Sequence, residues 1–251
     1  KVILLNQFHD ILPGTAIKPV YDESQIQYEG IISNLQGLMK NLMYNISGKV
    51  NIQSPSMIVF NNSPYKRDGF IETEGLALED DNGILPCQEL YNGNKLVLIP
   101  CIPSKGYKLL KISKGSKDIE NSMVISTDHM ENDFFNIRFN ESMEIQSLIY
   151  KPEGREILKT GQSGNVISAY EDRPSRWENW DIEIYYKDKS WQINNVLECS
   201  IIETGPIRGG VLIRRKFENS EIAQKIFIYK NIPRIDFDTT VEWKEKNILL
   251  K

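Results

Sequence analysis

The sequence is poor in the residues that most metal and disulfide chemistry needs. It has 2 His and 3 Cys in 251 residues. Cys87, Cys101 and Cys199 are an odd set without a C-x-x-C pair, which argues against a disulfide framework and an all-cysteine zinc site and leaves three buried apolar side chains as the expectation. A reducing, cytoplasmic home fits that usage. There is no surplus of positive charge: 30 Lys+Arg stand against 34 Asp+Glu, net -4, so no general cationic field exists to draw a phosphate backbone, and nucleic acid is not an expected partner. Apolar runs such as 2–5 and 96–99 fall far short of the roughly 18 residues that cross a bilayer, so no membrane partner is expected either. P-loop, G-x-G-x-x-G, G-x-S-x-G and H-E-x-x-H patterns are absent, as are internal repeats. What is present is ordinary for a folded chain of one or two domains: 40% hydrophobic and 25% charged residues.

The period changes along the chain. From Asp22 to Ser47, Ile26, Ile31, Ile32, Leu35, Leu38, Met39, Leu42, Met43 and Ile46 recur at three- and four-residue spacing, predicting one long amphipathic helix, with Asp22 and Gln25 as a weak capping box and Gly48 as the stop. Residues 2–11 have the length of a short helix, ended by Leu12-Pro13-Gly14-Thr15. After the polar linker 51–56, short alternating runs predict about a dozen strands, at 57–60, 69–73, 96–99, 107–112, 134–139, 145–150, 166–170, 182–186, 196–203, 207–217, 222–229 and 234–242. The fold expected is mainly β, a large antiparallel sandwich over residues 51–251 preceded by a helical segment over 1–50.

Of the two histidines, His129 sits in an acidic stretch and reads as a solvated loop side chain. His9 stands with Asn6, Gln7 and Asp10 directly before the Pro-Gly turn, a polar set that a helix interior gains little from burying. Trp177 and Trp180, three apart, offer apolar faces for sugar stacking, with Asp172, Arg173 and Asp181 nearby as hydroxyl partners, although packing within the sandwich is the favoured reading, above all for Trp180. Phe237 and Trp243, in an alternating strand, read as core.

The run Asn6-Gln7-Phe8-His9-Asp10-Ile11-Leu12-Pro13-Gly14-Thr15-Ala16-Ile17 followed by Val20-Tyr21-Asp22 resembles the signature of glycoside hydrolase family 38, the α-mannosidases, in its bacterial form. Tyr170-Glu171-Asp172-Arg173-Pro174-Ser175-Arg176-Trp177-Glu178-Asn179-Trp180-Asp181-Ile182 is similar to the family's acidic-Pro-x-x-Trp-x-x-Trp-Asp pattern, and the segment 234–243 with Leu249-Leu250-Lys251 resembles a third, with Glu242 where the family more often has Asp. The order of the three matches. The resemblance implies a middle and C-terminal portion of a zinc-dependent retaining α-mannosidase acting on terminal α-mannosides: the end of a central helical bundle, then a galactose-mutarotase-like supersandwich. It implies that His9 is a zinc ligand and that Asp10 bonds the sugar hydroxyls; Trp177 and Asp181 stand beside them as candidate substrate-binding residues on their own chemistry. No catalytic residue lies in this chain by that reading; nucleophile and acid/base are expected upstream, in an N-terminal catalytic barrel of the same polypeptide that shares the Zn2+. The isolated chain is expected to be inactive. The implied partners are a mannoside or oligosaccharide substrate and that barrel, with homo-oligomer formation left open. The alternative is a non-catalytic carbohydrate-binding or structural β-sandwich module.

Overall fold

A computed structural model describes all residues except 116, 118, 178 and 179. The chain divides into two compact units, one of residues 1–53 and 170–189 and the other of residues 54–169 and 190–251.

The first unit holds two helices, α1 (Val2–Asn6) and α2 (Lys18–Ser47). Helix α2 begins four residues ahead of the expected cap. Pro19 explains the shift: its fixed φ and missing N–H cost nothing in a first turn, and Lys18 closes an i,i+4 pair with Asp22 at 2.6 Å. Gly48 follows the last turn as expected. The apolar stripe of α2 stays exposed, and Ser24 is the one residue of this helix that is buried. Helix α1 is shorter than residues 2–11; after Asn6 the backbone breaks into turns through Gly14, whose φ of 87° suits a glycine.

Most of the rest is β-structure. The strands are β1 (Ser56–Asn61), β2 (Arg67–Thr73), β3 (Ala77–Asp80), β4 (Gly83–Ile84), β5 (Cys87–Glu89), β6 (Lys95–Ile102) and β7 (Gly106–Ser113), followed by β8 (Val124–Ile125), β9 (His129–Glu131), β10 (Phe135–Phe139), β11 (Ile145–Tyr150) and β12 (Arg155–Glu156). Then come β13 (Ser168–Glu171), β14 (Ser190–Gln192), β15 (Val196–Thr204), β16 (Arg208–Phe217), β17 (Ser220–Tyr229), β18 (Ile235–Glu242) and β19 (Ile248–Leu250). They form sheets in the orders β1-β7-β3-β4, β2-β6-β5, β12-β11-β10-β9-β8, β15-β16-β17-β18 and β14-β13-β19. The mainly β, antiparallel expectation therefore holds.

Four hydrophobic clusters lie among the described residues of the second unit, and two of them form its main cores. The smaller joins Leu78 and Leu110 to Val97, Ile99 and Ile102. The larger packs Met130, Ile137, Phe139 and Ile145 against Val211, Ile213, Ile226 and Ile228. Period-two alternation turns Val211, Ile213 and Arg215 of β16 to the same buried side. Arg215 is only 1% exposed; its Nη2 donates to the carbonyls of Met143 at 2.7 Å and Ser142 at 3.2 Å.

Several expectations need correction. Residues 184–188 form a 3-10 helix in place of a strand at 182–186, closed by the Tyr186 N–H on the Glu183 carbonyl at 3.0 Å. His129 is no loop residue: it sits on β9, largely buried, with Nε2 3.4 Å from Glu131. Cys101 is exposed at a positive φ, and Cys87 and Cys199 are only partly buried. Phe237 is 43% exposed on β18, the edge strand of its sheet. Trp243 does pack, stacked on Phe217 at 5.8 Å beside Ile222 and Ala169.

Candidate functional site

The loop between α1 and α2 is held in place by the residues that gave its sequence its character. Asn6 is 4% exposed and its Nδ2 donates to Gln27 Oε1 of α2 at 2.9 Å. The Tyr21 hydroxyl accepts the Ala16 N–H at 2.8 Å and reaches the Asp10 and Ile11 carbonyls at 3.5 Å, while Thr15 Oγ1 donates to the Asp10 carbonyl at 3.2 Å. The backbone of Asp10 is thus tied from both sides, leaving its side chain and that of His9 turned outward.

The two side chains meet. His9 Nε2 lies 3.6 Å from Asp10 Oδ2, with side chains 74% and 40% exposed, and the Phe8 ring packs 4.2 Å from the imidazole. An imidazole nitrogen and a carboxylate oxygen on one rigid loop are a suitable donor pair for zinc, but a stable site wants about four ligands. Among the described residues no group of three or more His, Cys, Asp or Glu is placed to hold a metal. The pair therefore fits as part of a site and not as a whole one.

The second motif lies in 170–189, in the same unit. Glu178 and Asn179 of the motif lie outside the described residues. Trp177 and Asp181 are brought together: the N–H groups of Trp180 and Asp181 both donate to the Trp177 carbonyl, at 2.8 and 3.1 Å. Trp177 and Trp180 are 70% and 64% exposed, so the favoured packing inside the sandwich does not occur. Trp177 also holds a φ of 63°, a left-handed backbone that costs a non-glycine residue about 1–2 kcal/mol. Trp177 thus combines a left-handed backbone with an exposed indole.

The same segment forms a pocket of about 230 Å³ that Asp172 and Arg173 line together with Glu171, Glu183, Tyr185 and Tyr186; Trp177, Trp180 and Asp181 do not line it. Glu171 draws in Arg173 and Lys189, each at 3.3 Å, and Glu183 Oε1 accepts the Ser175 hydroxyl at 2.5 Å. Glu171, Glu183 and Tyr185 are not among the residues that the sequence singles out; Glu183 and Tyr185 lie in the segment 182–186, which reads as a strand.

Comparison with known proteins relates both ends of the chain to one group of enzymes. Residues 1–46 match the family model described as the Alpha mannosidase middle domain, and residues 130–251 match the Glycosyl hydrolases family 38 C-terminal domain. Alpha-mannosidase G of Dictyostelium discoideum is 26% identical over 99% of this chain and 27% of its own length; Alpha-mannosidase 2C1 of Homo sapiens is 24% identical over 100% of this chain and 24% of its own. An α-mannosidase crystal structure from Enterococcus faecalis V583 superposes with a TM-score of 0.77 at 14% identity, over 99% of this chain and 37% of that one, which establishes the fold. A helical segment and an antiparallel β region, matched in this order, define a portion of a glycoside hydrolase. The two matched models and the relatives together support a fragment of glycosyl hydrolase family 38. It spans about a quarter of the length of the curated relatives it matches.

No helix among the described residues is long and apolar enough to cross a membrane.

Proposed function

We propose that this chain is the part of a zinc-dependent retaining α-mannosidase that supplies one metal ligand, His9, and the β scaffold, with Asp10, Trp177 and Asp181 contacting the sugar. The observation that carries the reading is the outward His9–Asp10 pair on a loop tied down by Thr15 and Tyr21. When bound, zinc supplies a Lewis-acid hold on vicinal sugar hydroxyls. Asp10, as a carboxylate, accepts hydroxyl hydrogens beside that charge; the exposed indole of Trp177 offers an apolar face to the C–H side of the ring.

The nucleophile and acid/base carboxylates, about 5–5.5 Å apart in retaining enzymes, are assigned to a barrel elsewhere in the same polypeptide, for which the greater length of the relatives leaves room. The test is a polypeptide extended with its natural upstream sequence, assayed on an aryl α-mannoside with the anomer of the first-formed product followed by NMR. Hydrolysis with retention, abolished by a chelator and restored by Zn2+, is the expected result; inversion or chelator-resistant turnover overturns the zinc and retaining assignments, and no turnover favours the binding-module alternative.

A further inference from the structure

A pocket in the second unit has the chemistry of a sugar subsite, and the case starts from its floor. Glu203 is 7% exposed and accepts Arg208 in a two-pronged pair, Nη2 on Oε1 at 2.6 Å and Nε on Oε2 at 2.7 Å, with Gln88 Nε2 adding a third contact at 3.3 Å. The Arg208 guanidinium lies 4.4 Å from the centre of the Phe227 ring. Gln88 is itself locked, because its Oε1 accepts the N–H groups of Ile207 and Arg208 at 2.8 Å each. A bidentate pair fixed from so many sides cannot swing away, so the floor is preformed.

The wall and lip are different. Lys225 and Asp238 face each other across β17 and β18 with Nζ and Oδ2 3.7 Å apart, too far for a short bond and both well exposed. Tyr91 lines the mouth from the β5–β6 turn, where Gly93 takes a φ of 81°, and it is 81% exposed. A phenol ring left so open gains little from folding; its surface is available to a ligand.

Charge and size choose the ligand. Glu72, Glu203 and Asp238 carry three negative charges against two positive ones on Arg208 and Lys225, so a phosphate or carboxylate would enter a site already negative on balance. A neutral ring with adjacent hydroxyls uses both donors and acceptors here and lays its C–H face on Tyr91. The pocket holds about 190 Å³, below the roughly 300–1,000 Å³ of sites for larger ligands, which suits a single sugar ring. We infer that this pocket is a subsite for one neutral sugar unit of a glycan chain, an inference that rests on the carbohydrate reading proposed above and adds a second place at which the glycan is held.

Saturation-transfer NMR on the 251-residue chain tests it, with methyl α-mannoside, lactose, cellobiose and mannose 6-phosphate as probes. At least one neutral sugar should bind in the millimolar range and more tightly than the phosphate. Tyr91→Ala should weaken that binding by about three- to tenfold, and Asp238→Ala should weaken it as well, with melting temperatures unchanged for both exposed positions. In the double variant His9→Ala, Asp10→Ala, the part of the binding that depends on Tyr91 and Asp238 should persist. No binding of any neutral sugar, preference for the phosphate, or binding indifferent to Tyr91 and Asp238 overturns the inference; binding lost in the His9, Asp10 variant and kept in Tyr91→Ala does so while supporting the proposed function. Tyr91-dependent binding of lactose or cellobiose without the mannoside supports the subsite and counts against the mannoside reading.

Discussion

Trp177 and Trp243 give opposite expectations on truncation to alanine. Trp243 is partly buried, stacked on Phe217 with 5.8 Å between ring centres and 3° between planes, in a cluster with Ala169, Ile193 and Ile222. Full burial of a Trp is worth about 3–5 kcal/mol on truncation. Taking half of that for a partly buried ring and adding about 0.5–1.5 kcal/mol for the aromatic pair gives roughly 2–4 kcal/mol for Trp243→Ala. At about 2–4 °C per kcal/mol for a chain of this size, the melting temperature should fall by roughly 4–16 °C. Trp177 is 70% exposed, so Trp177→Ala should stay within about 0.5 kcal/mol, or less than about 2 °C. In the extended, active polypeptide the order should reverse: Trp177→Ala should lower kcat/KM tenfold or more, a loss of about 1.4 kcal/mol in the transition state. Thermal unfolding by circular dichroism, with kinetics on an aryl α-mannoside, measures both. A Trp177→Ala chain that melts as early as Trp243→Ala would refute the contact role and return Trp177 to packing.

Further outcomes follow from the same geometry. The isolated chain should show no turnover of an aryl α-mannoside and only weak Zn2+ uptake by calorimetry, since His9 and Asp10 offer two donors; a tight stoichiometric site requiring His9 would contradict the division of ligands. Tyr21→Phe removes the acceptor for the Ala16 N–H and should cost the chain about 0.5–1.5 kcal/mol in denaturant unfolding; no change would mean that the loop is held by other bonds. Lys108, 2.7 Å from Asp80, holds the Asp80 carboxyl below its ordinary range by a hydrogen bond. That contribution is complete above the unfolded value near 3.9 and is lost as pH falls through the lowered folded value. Asp80→Asn should therefore be less stable than the parent by about 1 kcal/mol at neutral pH, with the gap closing in strong acid; a gap that grows on acidification would contradict the pairing.

The legibility of the chain depended on the length of each pattern. Helix α2 and strands β15 to β18 run long enough for a period of 3.6 or 2 to repeat several times, and they lie close to the expected positions. Strands of two or three residues, such as β4, β8 and β12, have no period to detect; their partners in space define them. Residues 182–186 alternate like a strand yet coil, because the Tyr186–Glu183 bond is local and invisible to alternation. Arg215 lies on the inward face of β16, where a charge is not expected; the carbonyls of Ser142 and Met143, more than seventy residues away, make that placement tolerable. At the site, the crowding of Asn6, His9 and Asp10 before Pro13-Gly14 was readable, whereas the roles of Thr15 and Tyr21 as fasteners of the Asp10 backbone needed the fold. The pocket at Glu203 and Arg208 joins residues from 72 to 238, and no local motif could announce it.

The central claim, that His9 holds metal and Asp10 holds sugar, is tested most directly by metal content and kinetics measured side by side on His9→Ala and Asp10→Asn in the extended polypeptide. The account predicts that His9→Ala loses bound zinc and activity together, while Asp10→Asn keeps most of its zinc and loses kcat/KM by at least about tenfold, or 1.4 kcal/mol. Full zinc occupancy and full activity in His9→Ala would contradict it and reduce the loop to a helix connection.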